Sequence, residues 1–319
     1  MTSKPQICRD IEPALLATAT GEADARAAHR VGDHVARCAA CREELGRYRA
    51  VDAVARTLPS AEAPSAAAFA ALGSSLANLR KRLLTYGISP SPLGNILIAR
   101  SEEGVALVEY LGAATTVKAS RLARTPGVEL EEDGAEVKRL GVELRDYIRG
   151  RRTRLDWPID LRLAGSDFSR AVLGATAAVP YGAVTSYARI AESLGRRSAV
   201  RAVAQALRWN PVPIVVPCHR IVGASGALTG YAGNKIPLKQ RLLSVEGVRM
   251  VRAEDDLHVA RAQMYAHNFG DTEYCVPTCG SLSKQSLARL TLFSTRAGAE
   301  ATGLAPCTSC RPDLHPLAR

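Results

Sequence analysis

A chain of 319 residues with 42 Lys and Arg against 31 Asp and Glu carries a formal net charge of +11; 47% of its residues are hydrophobic and only 5% aromatic. That leaves room for two or three packed domains whose interiors are filled largely by alanine, and the positive balance suits a polyanionic partner. No run of 18 uncharged apolar residues occurs, and Met1-Thr2-Ser3-Lys4 leads into no apolar signal core, which excludes a helical membrane span and gives a soluble, cytoplasmic protein as the expectation.

The eight cysteines can be placed without remainder: Cys8, Cys38 and Cys41 near the start, Cys218 alone, and Cys275, Cys279, Cys307 and Cys310 at the end. Cys-x-x-Cys pairs in a chain without a signal peptide point to metal before disulfides, so the expectation is two zinc sites and one free thiol. In the N-terminal set, Cys8 is followed by His34-x3-Cys38-x2-Cys41. The His-x3-Cys step puts two donors one helical turn apart, and Cys-x-x-Cys gives the tight bite a tetrahedral zinc needs. Residues 9–19 and 24–55 have helical composition, and His29 falls outside the ligand pattern. The set resembles the zinc-finger domain of anti-sigma factors, in which a first helix with the leading ligand folds back on a helix beginning near the His. The resemblance implies a docking module over 1–60 whose partner is a sigma factor or another protein. Residues 61–85 read as an Ala/Ser/Pro linker grading into a helix that carries Arg80, Lys81 and Arg82.

Leu93–Ala99 and Val105–Tyr110 read as two strands joined by the turn Ser101–Gly104, and Val137–Arg149 as an amphipathic helix ending at Gly150. No residue of this stretch is assigned a chemical role. Further on, Pro180–Ala191 leads into a helix ending at Gly195, and a second helix spans about 199–208, which makes a helix-turn-helix. On the second helix Val200, Val203 and Leu207 share a core face, while Arg201, Gln205 and Arg208 face outward, available to DNA.

Pro217-Cys218-His219-Arg220 follows the apolar run Pro213–Val216 and sets a nucleophile beside a base. It is flanked by Arg201-Ala202-Val203 and Asn210-Pro211-Val212-Pro213 before, and by Gly230-Tyr231-Ala232-Gly233, Lys239, Leu242-Leu243 and Glu246-Gly247 after. On these residues the stretch from about Tyr86 to Val248 resembles the O6-alkylguanine-DNA alkyltransferases (methylated-DNA–protein-cysteine methyltransferases). The resemblance implies a small α/β subdomain over 86–165 and a helical catalytic subdomain over 166–250. It also implies irreversible, stoichiometric transfer of an alkyl group from O6-methylguanine, and from O4-methylthymine as a further substrate, to Cys218, with no organic cofactor. Cys218 matches the acceptor, His219 the base acting through a water, Glu246 the carboxylate that orients the imidazole, Asn210 the turn holding the site, and Tyr187 the tyrosine at the flipped base or its phosphate. Arg201 matches the arginine that fills the place of the rotated nucleotide; with Gln205, Arg208, Tyr231 and Lys239 it forms the expected DNA-binding set. Ala232 stands where many members have serine, and Phe168-Ser169 and Val172-Leu173 depart from pairs common upstream. The alternatives are an alkylation-sensing regulator acting through the N-terminal module and a lesion-binding protein that does not transfer; tryptophan holds the cysteine position in the latter's known relatives, against which Cys218 argues.

At the end of the chain, Cys275-x3-Cys279 and Cys307-x2-Cys310 describe a closed tetrahedral zinc site. With Phe293, Ala299-Glu300-Ala301, Gly303 and Pro306, residues 255–319 resemble the Ada metal-binding domain, in which Cys275 would match a cysteine that accepts methyl from phosphotriesters. The position after the core, Val276 in place of arginine and the lack of a second helix-turn-helix depart from that pattern. The fold expected is α/β and multi-domain: an alkyltransferase core flanked by two small zinc-binding domains.

Overall fold

The computed structural model describes residues 6–57, 66–132, 134–232, 235–253, 256–282 and 285–317. The chain forms two compact units, Met1–Ser75 and Leu76–Arg319.

In the first unit, α1 (Gln6–Thr20) and α2 (Ala25–Arg37) pack with α3 (Ala39–Thr57) around buried Leu15, Val31 and Leu45 together with Cys8 and Cys41. Asp24 caps α2 by accepting from the Ala27 amide at 2.7 Å. The helix expected to begin near His34 in fact ends there. His34 lies in the last turn of α2, and Cys38 is extended (φ −118°, ψ 105°) before α3 begins. The break falls at Cys38, between His34 on α2 and Cys41 on α3, and the donor atoms of the group meet across it. Then α4 (Ala66–Arg82) occupies most of the stretch read as linker, as its alanine content favours, while 61–65 lie outside the described residues.

In the second unit a four-stranded sheet of order β3-β2-β1-β4 is built from β1 (Leu83–Ser89), β2 (Asn95–Arg100), β3 (Val105–Gly112) and β4 (Glu129–Glu132). β2 and β3 form the expected hairpin. β1 and β4 were not legible, and β4 is an acidic, largely exposed strand held by parallel pairing to β1. α5 (Glu136–Ile148) covers the sheet with Val137, Leu140, Leu144 and Tyr147. The catalytic half follows as α6 (Asp167–Ala177), β5 (Ala183–Ser186), α7 (Tyr187–Ser193), α8 (Val200–Arg208), β6 (Ile221–Val222) and α9 (Ile236–Val245). After it come β7 (Met250–Ala253), β8 (Asp256–Val259), β9 (Tyr265–Asn268), β10 (Glu273–Tyr274), β11 (Leu290–Phe293), α10 (Arg296–Glu300) and β12 (Ala305–Pro306).

The two halves of this list interleave. A second four-stranded sheet has the order β6-β5-β11-β9, so strands from the four-cysteine segment extend a sheet begun in the catalytic half. Phe293, Ala299, Tyr265 and Tyr274 share a core with Val172, Val203 and Ile221, and Cys275, Cys279 and Cys307 share another with Val184, Val222 and Leu243. None of the described helices is long and apolar enough to cross a membrane.

Candidate active site

Pro217-Cys218-His219-Arg220 sits at the start of a 3₁₀ turn that runs into β6, so Cys218 is delivered by a tight turn at a sheet edge and not by a flexible loop. Just ahead of it the buried, β-branched Ile214 has φ 75°, a conformation that costs such residues of order 1–3 kcal/mol. Asn210 closes this turn. Its side-chain amide donates to the Val216 carbonyl at 2.9 Å and to Cys218 Sγ at 3.2 Å, while its Oδ1 accepts from the Val212 amide. The sequence placed Asn210 in the turn; the direct hydrogen bond to the sulfur is additional.

The other side of the turn is a charge network. Glu246, at the C-terminal end of α9, is buried where the helix dipole disfavours an anion. Five donors offset this. Oε1 accepts from His219 Nε2 at 2.6 Å, Tyr147 O–H at 2.5 Å and Arg220 Nη2 at 3.1 Å; Oε2 accepts from Arg220 Nε at 2.9 Å and the Gly182 amide at 3.1 Å. Burial alone would raise the carboxyl, but the His219 contact and the Arg220 guanidinium outweigh it and hold it at about 2. Burial also pushes His219 below its ordinary range against the pull of Glu246, so the imidazole is neutral and Arg220 is the standing cation. An ionised carboxylate can only accept, so Nε2 carries the ring proton and Nδ1 keeps its lone pair. Nδ1 is buried and has no hydrogen-bond partner among the described residues.

Cys218 lines a cavity of about 380 Å³ with Tyr187, Val200, Arg201, Gln205, Arg208, Tyr231 and Ala232. A cavity of that size admits a flat heterocycle. Burial raises the thiol, against the Asn210 hydrogen bond and the charge of Lys239. Arg201, Gln205 and Arg208 are exposed on one face of α8, with Val203, Ala206 and Leu207 buried on the other, and Val200 is half-buried at the cavity wall. Tyr231 is buried, its hydroxyl paired with that of Tyr110 at 2.7 Å. Tyr187 donates to the Thr229 carbonyl at 3.2 Å, and burial raises it to about 12.

Lys239 departs from its expected place in the DNA-binding set. It is 0% exposed; its Nζ donates to the Ile221 carbonyl at 2.5 Å and the Thr229 carbonyl at 2.9 Å, and burial lowers it to about 8. A side chain so enclosed meets no phosphate. Its charge acts inward, on Cys218. Two further residues were missed altogether: Tyr147, from a subdomain read as chemically silent, and Arg220, which the motif contains but to which no role was given. The helical periodicity of α5 marked Tyr147 only as core; nothing local to it announces a partner 99 residues on.

Both ligand sets converge. Cys8, His34, Cys38 and Cys41 form one group and Cys275, Cys279, Cys307 and Cys310 another, each with donor atoms within 4.8 Å of one another. Cys8 Sγ lies 3.8 Å from His34 Nε2 and 3.9 Å from Cys38 Sγ, close to the edge of about 3.8 Å that a tetrahedron with metal–sulfur bonds of about 2.3 Å requires. In the second group the parallel pairing of β10 with β12 brings Cys275 and Cys307, the residues that follow each strand, into step, and Ser281 approaches Cys279 Sγ at 3.1 Å. Both donor sets fit zinc.

A lone thiol beneath a helix-turn-helix, opening on a cavity fit for a base and backed by a buried His-Glu pair, defines a DNA-reactive cysteine protein. Residues 84–161 match the ribonuclease-like domain of 6-O-methylguanine DNA methyltransferase, and residues 167–248 its DNA binding domain. A constitutive methylated-DNA–protein-cysteine methyltransferase of Bacillus subtilis (strain 168) is 36% identical over 168 residues, 51% of this chain and 95% of that protein. One from Methanosarcina acetivorans is 38% identical over 164 residues, 51% and 97% respectively. A solved Mycobacterium tuberculosis protein, described as OGT in complex with DNA, is 35% identical, covers 51% of this chain and 92% of its own, and has a TM-score of 0.43. The chain belongs to the methylated-DNA–protein-cysteine methyltransferase family.

Proposed function

We propose that this protein repairs alkylated duplex DNA by moving the alkyl group from O6 of guanine to Cys218, once per molecule. The observation that carries the reading is the cavity that Cys218 shares with Arg201, Tyr187 and Tyr231, beside an exposed basic helix face and backed by His219 and Glu246. A base extruded from the stack into that cavity would meet the sulfur, with Arg201 positioned to occupy its place in the duplex.

In the step itself the Cys218 thiol loses its proton toward His219 Nδ1, and a buried, unpartnered lone pair suits relay through one water. Glu246 and Arg220 fix the ring so that only Nδ1 can serve. The thiolate, steadied by the Asn210 amide and by Lys239, attacks the alkyl carbon; the C–O bond breaks as the C–S bond forms, and the electron pair leaves on guanine O6. Ala232 offers no hydroxyl to that oxygen, so its main-chain N–H and the cavity's tyrosines are the donors at hand. The thioether has no route back to a thiol, which makes transfer stoichiometric.

For the two ligand sets we propose zinc in structural roles. A sigma factor as partner of the N-terminal module rests on sequence resemblance alone. Single-turnover transfer from a duplex with one O6-methylguanine, followed by intact mass, tests the main reading: wild type gains one methyl group and Cys218→Ser none. Methyl gain in Cys218→Ser contradicts it.

A further inference from the structure

The matched family segments end at Val248, yet the structure continues the catalytic sheet beyond them. In register, Cys275 bridges Ala266 on β9, Ala266 pairs Leu292 on β11, and Leu292 pairs Val184 on β5, a single transverse row from the four-cysteine group into the catalytic half. The neighbouring row runs His267, Thr291, Thr185, Ile221, and Ile221 directly follows the Cys218–Arg220 turn. Cys275, Ala266, Leu292 and Val184 are all buried in one core.

At the end of β11 this framework reaches Glu246. The Ser294 amide donates to the Gly182 carbonyl at 2.8 Å, the Gly182 amide donates to Glu246 Oε2 at 3.1 Å, and Ser294 Oγ lies 3.4 Å from the Glu246 carbonyl. Gly182 has φ +71°, and a Cβ there would meet Ser294 Oγ at 2.5 Å and the Glu246 carbonyl at 3.0 Å. Only glycine lets the three segments close this tightly. On the far side Tyr181 donates to the Val245 carbonyl at 2.9 Å, so the 180–183 turn is clamped between α9 and β11. The remaining groups on the carboxylate, His219, Arg220 and Tyr147, come from the catalytic turn and α5; Gly182 is the one partner whose place is set by the C-terminal segment.

We propose that the four-cysteine segment is a working part of the transferase: Ser294, at the end of β11, is a positioning residue that holds Glu246 through Gly182, and metal in the four-cysteine group is what keeps β9 and β11 in place. The inference rests on the transfer reading given above. A carboxylate displaced by even about 1 Å no longer fixes His219, and losses of that kind reach roughly 100-fold in rate.

The test uses the full zinc-loaded chain and two variants. The donor from Ser294 to Gly182 is its main-chain N–H. Ser294→Pro removes that donor; it is expected to slow transfer roughly tenfold or more while keeping its zinc count, and to move the pH profile of Cys218 alkylation by iodoacetamide, which a bystander strand would leave unchanged. Should Ser294→Pro fail to fold, Cys310→Ser decides: it is expected to lose one zinc and show the same slowed transfer and shifted profile. Wild-type transfer with unchanged rate and profile in Cys310→Ser, or in a folded Ser294→Pro, overturns this inference alone. No transfer by wild type overturns the assigned function and this inference with it.

Discussion

Cys218 is caught between opposing influences, and each can be removed singly. Among the described residues the Asn210 amide is the only side-chain donor to its sulfur. A hydrogen bond to a charged group contributes about 1.5–3 kcal/mol, so Asn210→Ala should slow single-turnover methyl transfer roughly 10- to 100-fold; an unchanged rate would show that the sulfur does not use this donor. Because burial raises the thiol, transfer should accelerate as pH rises through neutrality. Lys239 loses its proton near pH 8 and with it the charge that favours thiolate, so the gain should flatten above that pH. Lys239→Met removes the charge at every pH and should shift the whole rise to higher pH; a profile that stays in place would mean Lys239 only packs. Glu246 has the opposite sign. Its folded value lies below its ordinary 4.5, so its stabilisation is complete above pH 4.5 and is lost as pH falls toward 2, about 3 kcal/mol in all. Glu246→Gln leaves Arg220 buried without its counter-charge and should cost about 3–5 kcal/mol, read as a fall in Tm together with loss of transfer.

At the scale of elements, what was legible in the sequence was what is local. The β2–β3 hairpin, α5, and the outward face of α8 follow from alternation and helical spacing, and the two ligand sets follow from spacing in cysteine. What was not legible is set by pairing across distance. β4 is Glu-Leu-Glu-Glu, a strand only because β1 runs beside it, and β5 and β11 are four residues each, too short for periodicity to register. Tyr147 and Arg220 meet at Glu246 from elements 99 and 26 residues away from it, so their roles belong to the fold and not to any motif. The break at Cys38 is a local feature that composition concealed. The first unit depends on its ligand group more than the second, since among the described residues its fully buried core is six small or medium side chains, two of them cysteines. Cys41→Ser should therefore abolish the helical signal of 6–57 as followed by circular dichroism of that module, while the full chain carrying the same substitution continues to transfer. Retained helicity without metal would show that packing alone suffices.

Over the whole molecule, the proposed function assigns capture of duplex DNA to the net charge of +11 and the exposed Arg201, Gln205 and Arg208, entry of a base to the cavity, and chemistry that ends with the first turnover to Cys218. The most direct measurement is intact-mass and peptide analysis after mixing the protein with excess duplex carrying O6-methylguanine. The result expected is one methyl group per molecule, on Cys218 and nowhere else, however long the incubation. More than one guanine repaired per protein molecule, or label on any other residue with Cys218 unmodified, would contradict it.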